Sequence, residues 1–329
     1  MTHPTVREST MKALVQDQYG SADVLEIREI DTPNVADDGV LVHVRAASAN
    51  PLDWHFMRAD PFFMRFVGGL RRPKQPVRGV DVSGEIHEVG RNVSNFEPGD
   101  EVFGFCDGAF AQYVSGGATN FVPRPANINA EQAAAVPTAA ITALQGLRDL
   151  GRVEAGQRVL IIGASGGVGT FAVQIAKALG ADVTGVCSTR NVDLVRSIGA
   201  DHVIDYSQQN IADLETRYDV VFQLAGTASP RRLRRLLNPK GTLVLSSGMG
   251  RFSGIGRVVS AMLMNPFVSQ RLVTWVANES HEDLRVLAEM IESRAVTPVI
   301  DRTYDLDDAA EAIRYVEQGH TRGKVVVRV

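Results

Sequence analysis

Only two cysteines, Cys106 and Cys187, occur in 329 residues. Two thiols cannot build a disulfide framework or a cysteine-based zinc site, and they fit a reducing, cytoplasmic setting. No apolar run approaches the ~18 residues that a membrane-spanning helix requires. Residues 1–10 are polar and lack the apolar centre of a signal peptide, so they read as a loose tail or as residues upstream of a start at Met11. Positive charge is not in excess: 34 Lys and Arg stand against 38 Asp and Glu, a net charge of -4 that argues against a nucleic-acid partner. The single basic run, Arg231-Arg232-Leu233-Arg234-Arg235, has helical spacing and reads as a solvated face. No internal repeat is visible. What remains, 44% hydrophobic and 22% charged, is a globular chain long enough for two domains with their own cores.

The most informative stretch runs from Arg158 to Gly169. Val159-Leu160-Ile161-Ile162 reads as a buried strand, Gly163-Ala164-Ser165-Gly166-Gly167-Val168-Gly169 as a tight turn, and Phe171 to Leu179 as a helix. A helix N-terminus carries unpaired N–H groups and a partial positive charge, which together favour a pyrophosphate. A Cβ at Gly166 or Gly167 would hold phosphate oxygens off the backbone, and one at Gly169 would push the helix from the strand. The pattern is A-x-G-x-x-G, with Ala164 in the place of the usual first glycine. A second strand at Asp182 to Cys187 supplies the context that makes the motif a dinucleotide cradle rather than an ordinary strand-to-helix turn.

The end of that second strand selects the cofactor. An acidic residue there would bind the ribose hydroxyls of NAD and repel a 2′-phosphate. The chain instead reads Cys187-Ser188-Thr189-Arg190-Asn191, with no carboxylate before Asp193. A hydroxyl beside a guanidinium suits a phosphate, so Ser188 and Arg190 predict NADPH (NADP+) over NADH. The plainer readings are that Arg190 is a solvated charge and that Ser188 and Thr189 cap the helix starting near Val192.

Along the chain the character changes twice. Strands are expected at 12–15, 25–30, 39–47, 84–89 and 100–105, each bounded by Gly, Pro, Asp or Asn, giving a β-rich first domain. Between them lies Ser48-Ala49-Asn50-Pro51-Leu52-Asp53-Trp54-His55, read as a loop of ordinary turn chemistry that a rigid scaffold could put to use. From Asn129 the pattern turns helical, with a helix over 138–149. It then alternates strand and helix over 158–162, 166–179, 183–187, 191–198, 202–204, 219–223, 230–237 and 242–246, the signature of a parallel sheet. A last strand at 272–277 and a helix at 282–293 follow. The closing Val325-Val326-Val327-Arg328-Val329 returns to β and is expected to complete the first domain. The predicted domains are therefore 1–130, with 1–10 as the tail, then 131–280 for the nucleotide, and 281–329 as the return.

Several blocks together resemble the medium-chain dehydrogenase/reductase superfamily: Gly79 to Ile86, Gly99-Asp100-Glu101-Val102, Thr142-Ala143, Gly163 to Gly169, Gly199 to Tyr206, Pro298 to Asp301 and Gly319 to Lys324. The resemblance covers nearly everything from Met11 onward. It implies an α/β chain in which a doubly wound parallel-sheet Rossmann domain is inserted in a β-rich GroES-like catalytic domain. Zinc members of that superfamily use a cysteine after the third strand and a Gly-His-Glu block. Here those places read Ser48-Ala49-Asn50-Pro51-Leu52-Asp53 and Gly79-Val80-Asp81, and the four-cysteine structural lobe is also missing. The chain is thus similar to the zinc-free quinone oxidoreductase branch that includes zeta-crystallin. The resemblance implies that Asn50 lies against the nicotinamide, Asp53 near the substrate and Thr142 at the nicotinamide end. It further implies that Ser165, Gly166, Gly167 and Val168 hold the pyrophosphate and Tyr206 packs beside the 2′-phosphate. Ala225, Ser246, Ser247 and Gly248 would line the adenosine and nicotinamide sides, and Lys324 would approach the cofactor. Without the resemblance, Thr142 reads as a helix-interior residue and Lys324 as an exposed charge before an edge strand.

These expectations describe an NADPH-dependent reductase that passes a hydride to a quinone or an α,β-unsaturated carbonyl without zinc. Such acceptors delocalise the incoming charge, so hydrogen-bond donors and water suffice where a simple ketone would need a Lewis acid. The partner is then a small hydrophobic carbonyl or quinone. Residues 249–270, with Met262, Met264 and Phe267, read either as an apolar wall over that substrate or as a subunit contact or plain core. The resemblance implies a homo-oligomer, a homodimer or a tetramer, through the sheet edge near 272–277. The rival of another class is a weakly catalytic NADPH-binding sensor or structural protein, because binding and turnover use different residues. A zinc-type alcohol dehydrogenase is disfavoured by the missing ligands.

Overall fold

A computed structural model of the chain describes residues 9–246 and 253–329. The chain divides into two compact units: one takes the residues up to Pro137 together with Arg302–Gln318 and Val325–Val329, the other Thr138–Asp301 and Gly319–Lys324.

The first unit opens with the antiparallel pair β1 (Thr10–Gln16) and β2 (Leu25–Asp31). It continues with β3 (Gly39–Ala49), β4 (Asp81–Val89), β5 (Glu101–Phe105), β6 (Tyr113–Gly117) and β7 (Phe121–Pro123). Strand β3 is the hub. Its sequence runs apolar instead of alternating, because both faces are covered: Val40, Leu41, Val42, Val44, Ala46 and Ala47 are wholly buried. One edge of β3 pairs with β4 along nearly its whole length, and the other pairs with β6 over residues 39–43.

The second unit is built on six parallel strands: β8 (Arg158–Ile162), β9 (Asp182–Cys187), β10 (His202–Asp205), β11 (Tyr218–Gln223), β12 (Leu237–Ser246) and β13 (Arg271–Trp275). Their spatial order, β10-β9-β8-β11-β12-β13, is that of a doubly wound sheet, and the order reverses between β8 and β11. Helices cover both faces, so the inner strands again read as continuous apolar runs. The helix Gly167–Ala178 buries Phe171, Ala172, Val173, Ile175 and Ala176. Last come β14 (Ile300–Asp305) and β15 (Lys324–Arg328), antiparallel to β3 through Val325↔Ala49 to Arg328↔Ala46, in the order β14-β15-β3-β4-β5-β7.

The structure departs from the sequence reading at identifiable places. The stretch 48–55 is not a loop: β3 runs to Ala49, and Asn50 caps a helix over Pro51–Arg58. Proline at the first helical position and Asp53 at the third make this a helix start, a pattern that shares its residue types with turns. The helix expected over 138–149 runs from Pro137 to Gln145 and then widens into a π-turn over Gly146–Gly151. The boundaries also move. The helix Ala130–Ala134 belongs to the first unit, where Glu131 accepts from Arg328 at 2.8 Å and Thr303 at 3.1 Å. The helix His281–Glu292 belongs to the second, where buried Asp283 takes Gln145 and Arg148 at 2.7 Å each.

Candidate cofactor cradle and buried polar network

At the carboxyl end of β8 the chain turns through Gly163, in the left-handed region at φ 92°, past buried Ala164 and Ser165 to Gly166, the cap of the helix Gly167–Ala178. A Cβ on Gly169 would lie 2.0 Å from the Gly163 carbonyl oxygen, so only glycine lets this helix sit so close to the turn. Gly166 is different in kind. A Cβ there would meet nothing nearer than the Gly163 oxygen at 3.5 Å, so the backbone is bare toward open space. A glycine not required by its protein neighbours, at the positive end of a helix, leaves room for a ligand oxygen. The cradle fits a dinucleotide pyrophosphate.

Lys324 stands beside this turn, with its side-chain Cδ 3.2 Å from the Cβ position of Gly167. Its N–H donates to Val299 at 2.9 Å and the residue is only 3% exposed. The alternative of an exposed charge before an edge strand is thereby overturned, since β15 lies between β14 and β3.

Around the ends of β9 and β10 lie Ser188, Arg190 and Tyr206. Asn191, passed over in the sequence, donates to the Ser165 hydroxyl at 2.9 Å and the Ser188 hydroxyl at 3.3 Å. It ties the first strand's turn to the second's, and its own Oδ1 is buried without a partner among the described residues. Ser188 is thus engaged sideways by Asn191, and no capping bond is made by its side chain. Arg190 donates to the His320 carbonyl at 3.1 Å, in the stretch that leads to Lys324. Tyr206 donates its N–H to Cys187 at 3.0 Å and leaves its ring 59% exposed. The Thr189 hydroxyl bonds Asp205 and, more than any other contact, holds that carboxyl below its ordinary value. Ala225 follows β11, 2.7 Å from where a Cβ on Gly163 would fall. Thr142 donates its hydroxyl proton to the Thr138 carbonyl at 2.7 Å within its own helix. Ser246 ends β12 opposite Trp275 in register, while Ser247 and Gly248 lie outside the described residues.

In the first unit, Asn50 and Asp53 are both 5% exposed and belong to one buried network. Asn50 donates its amide to Asp81 at 3.0 Å and to the Ser48 carbonyl at 3.3 Å, and its backbone N–H donates to Asp53 at 2.7 Å. Ser48 donates to the same Asp81 oxygen at 3.0 Å. Both amide protons of Asn50 are thus directed inward. Asp81, which the sequence shows only as one member of the block Gly79 to Ile86, is fully buried and anchors the network. Nearby Arg78 is buried too, and burial pushes its guanidinium below its usual value, opposed by the charges of Asp53 and Asp107.

Over residues 253–270 the described apolar side chains do not share one face. In the helix Ser253–Met264, Ala261 is buried and Met264 packs on the core of the second unit, whereas Met262 is 64% exposed. The two methionines sit on different faces, two residues apart on a helix of 3.6 residues per turn. Residues 249–252 lie outside the described part.

Two family models match the chain: one described as Alcohol dehydrogenase GroES-like domain over residues 36–126, the other as Zinc-binding dehydrogenase over 198–327. A relative from Mus musculus, "NAD(P)H oxidoreductase RTN4IP1, mitochondrial", is 32% identical over 99% of this chain and 91% of its own. A relative from Arabidopsis thaliana, "NADPH-dependent alkenal/one oxidoreductase, chloroplastic", is 33% identical over 96% of this chain and 79% of its own. The solved quinone oxidoreductase from Coxiella burnetii superposes with a TM-score of 0.86 at 29% identity, covering 97% of this chain and 99% of the other. The zinc in the second family description finds no fitting donors here. Among the described residues no three His, Cys, Asp or Glu side chains converge, and Asp81 is already occupied by Ser48 and Asn50.

Proposed function

Because the chain belongs to the medium-chain dehydrogenase/reductase superfamily, in its zinc-free quinone oxidoreductase branch, we propose that it reduces a quinone or an α,β-unsaturated carbonyl with NADPH and without a metal ion. The observation that carries this reading is the cradle at Gly166, bare toward open space at a helix N-terminus and flanked by buried Lys324. When bound, the reduced nicotinamide supplies the two electrons and the hydrogen that the acceptor takes up. The chain's own work is to hold and to exclude. Main-chain N–H groups of Ser165, Gly167 and Val168 bind the pyrophosphate over the bare Gly166, whose own N–H donates to the Gly163 carbonyl at 3.1 Å, and Lys324 adds a cation against it. Ser188, Arg190 and Tyr206 receive the 2′-phosphate. Thr142 serves the nicotinamide end, and Ala225 and Ser246 serve the adenosine and nicotinamide sides. In the first unit, Asn50 is held by Asp81 and Ser48 and its own N–H holds Asp53, so the two residues assigned to the acceptor's side are rigid.

A conjugated acceptor spreads the arriving charge over several atoms, so its reduction needs no Lewis acid, and this suits a chain in which no metal-ligand group converges among the described residues. The relatives named for quinone and for alkenal/one substrates support the same class. Relatives named for mitochondria and chloroplasts place similar chains in organelles. The cytoplasmic reading rests on the two free, buried cysteines.

The test is one protocol in which purified protein is titrated with NADPH and NADH, and cofactor oxidation is followed with quinones, enones and simple alcohols. NADPH oxidation with the first two and none with alcohols supports the proposal. Tight NADPH binding without turnover on any acceptor supports the sensor instead. Replacing Arg190 with Glu is expected to weaken NADPH roughly ten- to hundredfold while leaving NADH nearly unchanged, the worth of one charge-assisted contact.

A further inference from the structure

In the first unit, Phe62, Phe63, Phe66, Val67 and Leu70 all stand in solvent, from 49% to 68% exposed, within nine residues. Single exposed apolar side chains are ordinary, but a cluster of five marks a surface that meets something. The cluster is held in place. Phe62 and Phe66 meet edge to face at 6.4 Å, and the Arg65 guanidinium lies over Tyr19 at 4.8 Å and over Phe62 at 5.3 Å. The Tyr19 hydroxyl donates to the Gly69 carbonyl at 2.6 Å, which fixes the end of the short helix Met64–Gly68. Directly after it come Arg71, Arg72 and Lys74, all exposed, and among the described residues none of the three has a carboxylate partner. The whole chain carries a net charge of -4, so this concentration of positive charge beside bare aromatic rings is local.

We propose that this face docks on the surface of an anionic lipid bilayer. The aromatic and aliphatic side chains enter the boundary between headgroups and acyl chains, where amphipathic surface elements bind, while the three cations meet lipid phosphates. Charge decides between this occupant and a second copy of the chain. A two-fold pairing through the patch would bring two sets of unpartnered cations into one interface, where like charges facing each other cost binding energy. The proposal stands apart from the proposed reaction, because it concerns binding and not turnover.

Co-sedimentation with large unilamellar vesicles tests it, using phosphatidylcholine alone and phosphatidylcholine mixed with phosphatidylglycerol, at low ionic strength. The full chain is expected to be retained roughly tenfold more by the anionic vesicles, and added salt should weaken that retention. Phe62→Ser with Phe66→Ser, and separately Arg71→Glu with Arg72→Glu, should each reduce it by roughly tenfold. Far-ultraviolet circular dichroism and thermal melting report whether each variant is folded; should the phenylalanine pair fail to fold, the arginine pair carries the test alone. Absence of wild-type retention on anionic vesicles, or equal retention of a folded variant, overturns the proposal. A concentration-dependent dimer in the absence of lipid, lost in the phenylalanine variant, would assign the patch to a second copy instead.

Discussion

Individual residues show both the reach and the limit of reading side chains in order. The glycine pattern was legible because its reason is local: Gly169 faces a backbone oxygen 2.0 Å from where a Cβ would lie. Gly169→Ala must therefore move helix against strand, and about 3 kcal/mol of stability should be lost, read as a lower melting temperature together with weaker cofactor binding. An unchanged melting temperature would mean that the turn relaxes freely. Asn191 and Asp81 were not legible, because their importance lies in partners distant in sequence: Ser165 is 26 residues from Asn191, and Ser48 is 33 from Asp81. Cys187, by contrast, is simple. Burial pushes its thiol up to about 11, helped by the nearby charge of Asp205, so at neutral pH it carries almost no thiolate. Alkylation of the folded protein followed by mass spectrometry should leave Cys187 unmodified for as long as the fold persists; rapid labelling would contradict this.

Secondary-structure elements were easiest to foresee where both faces are covered. Strands β8, β9, β11 and β3 read as apolar runs for that reason, whereas β6, β7 and β14 are short or half-covered and take their pairing from neighbours the sequence does not reveal. The helix Pro51–Arg58 was hidden because Asn-Pro followed by Asp initiates turns and helices alike. One ion pair fastens the helix Gly167–Ala178 to the strands beside it. Asp201 accepts from Lys177 at 2.7 and 2.8 Å and from the Val183 N–H at 2.7 Å. Burial alone would raise this carboxyl, but those donors outweigh it and hold it below its ordinary value. A depressed carboxyl contributes stability above its unfolded value and loses it as pH falls through the folded one. Asp201→Asn should thus melt earlier than the wild type at neutral pH, and the gap should close in acid; a gap constant across that range would rule the linkage out.

For the whole molecule, the two-unit organisation was visible in the change from β to alternating patterns, but its boundaries were not. They depend on contacts such as Glu131 with Arg328 and Asp283 with Arg148, which join residues over a hundred positions apart. The chain passes from one unit to the other after Pro137, Asp301, Gln318 and Lys324, so the first unit is assembled from three separate stretches. Val325, Val326 and Val327, each no more than 1% exposed, fill the edge of β3 left open beyond β6. Deleting residues 325–329 should therefore remove hydrogen-exchange protection from those amides of Ala46–Ala49 that face β15, while those facing β4 and the amides of β8 and β11 stay protected; unaltered protection in β3 would contradict this.

That same pairing of β15 with β3 sets a schedule for synthesis. A ribosome makes Ala46–Ala49 early, yet their partners at 325–328 emerge only after the whole of 138–301 has been translated. The parallel sheet, continuous in sequence, has all its strands in hand first, while the half that was begun earlier waits with an unpaired edge of apolar backbone. Slow codons or a stall within 138–301 would prolong that interval, and it is there that a chaperone would find this nascent chain.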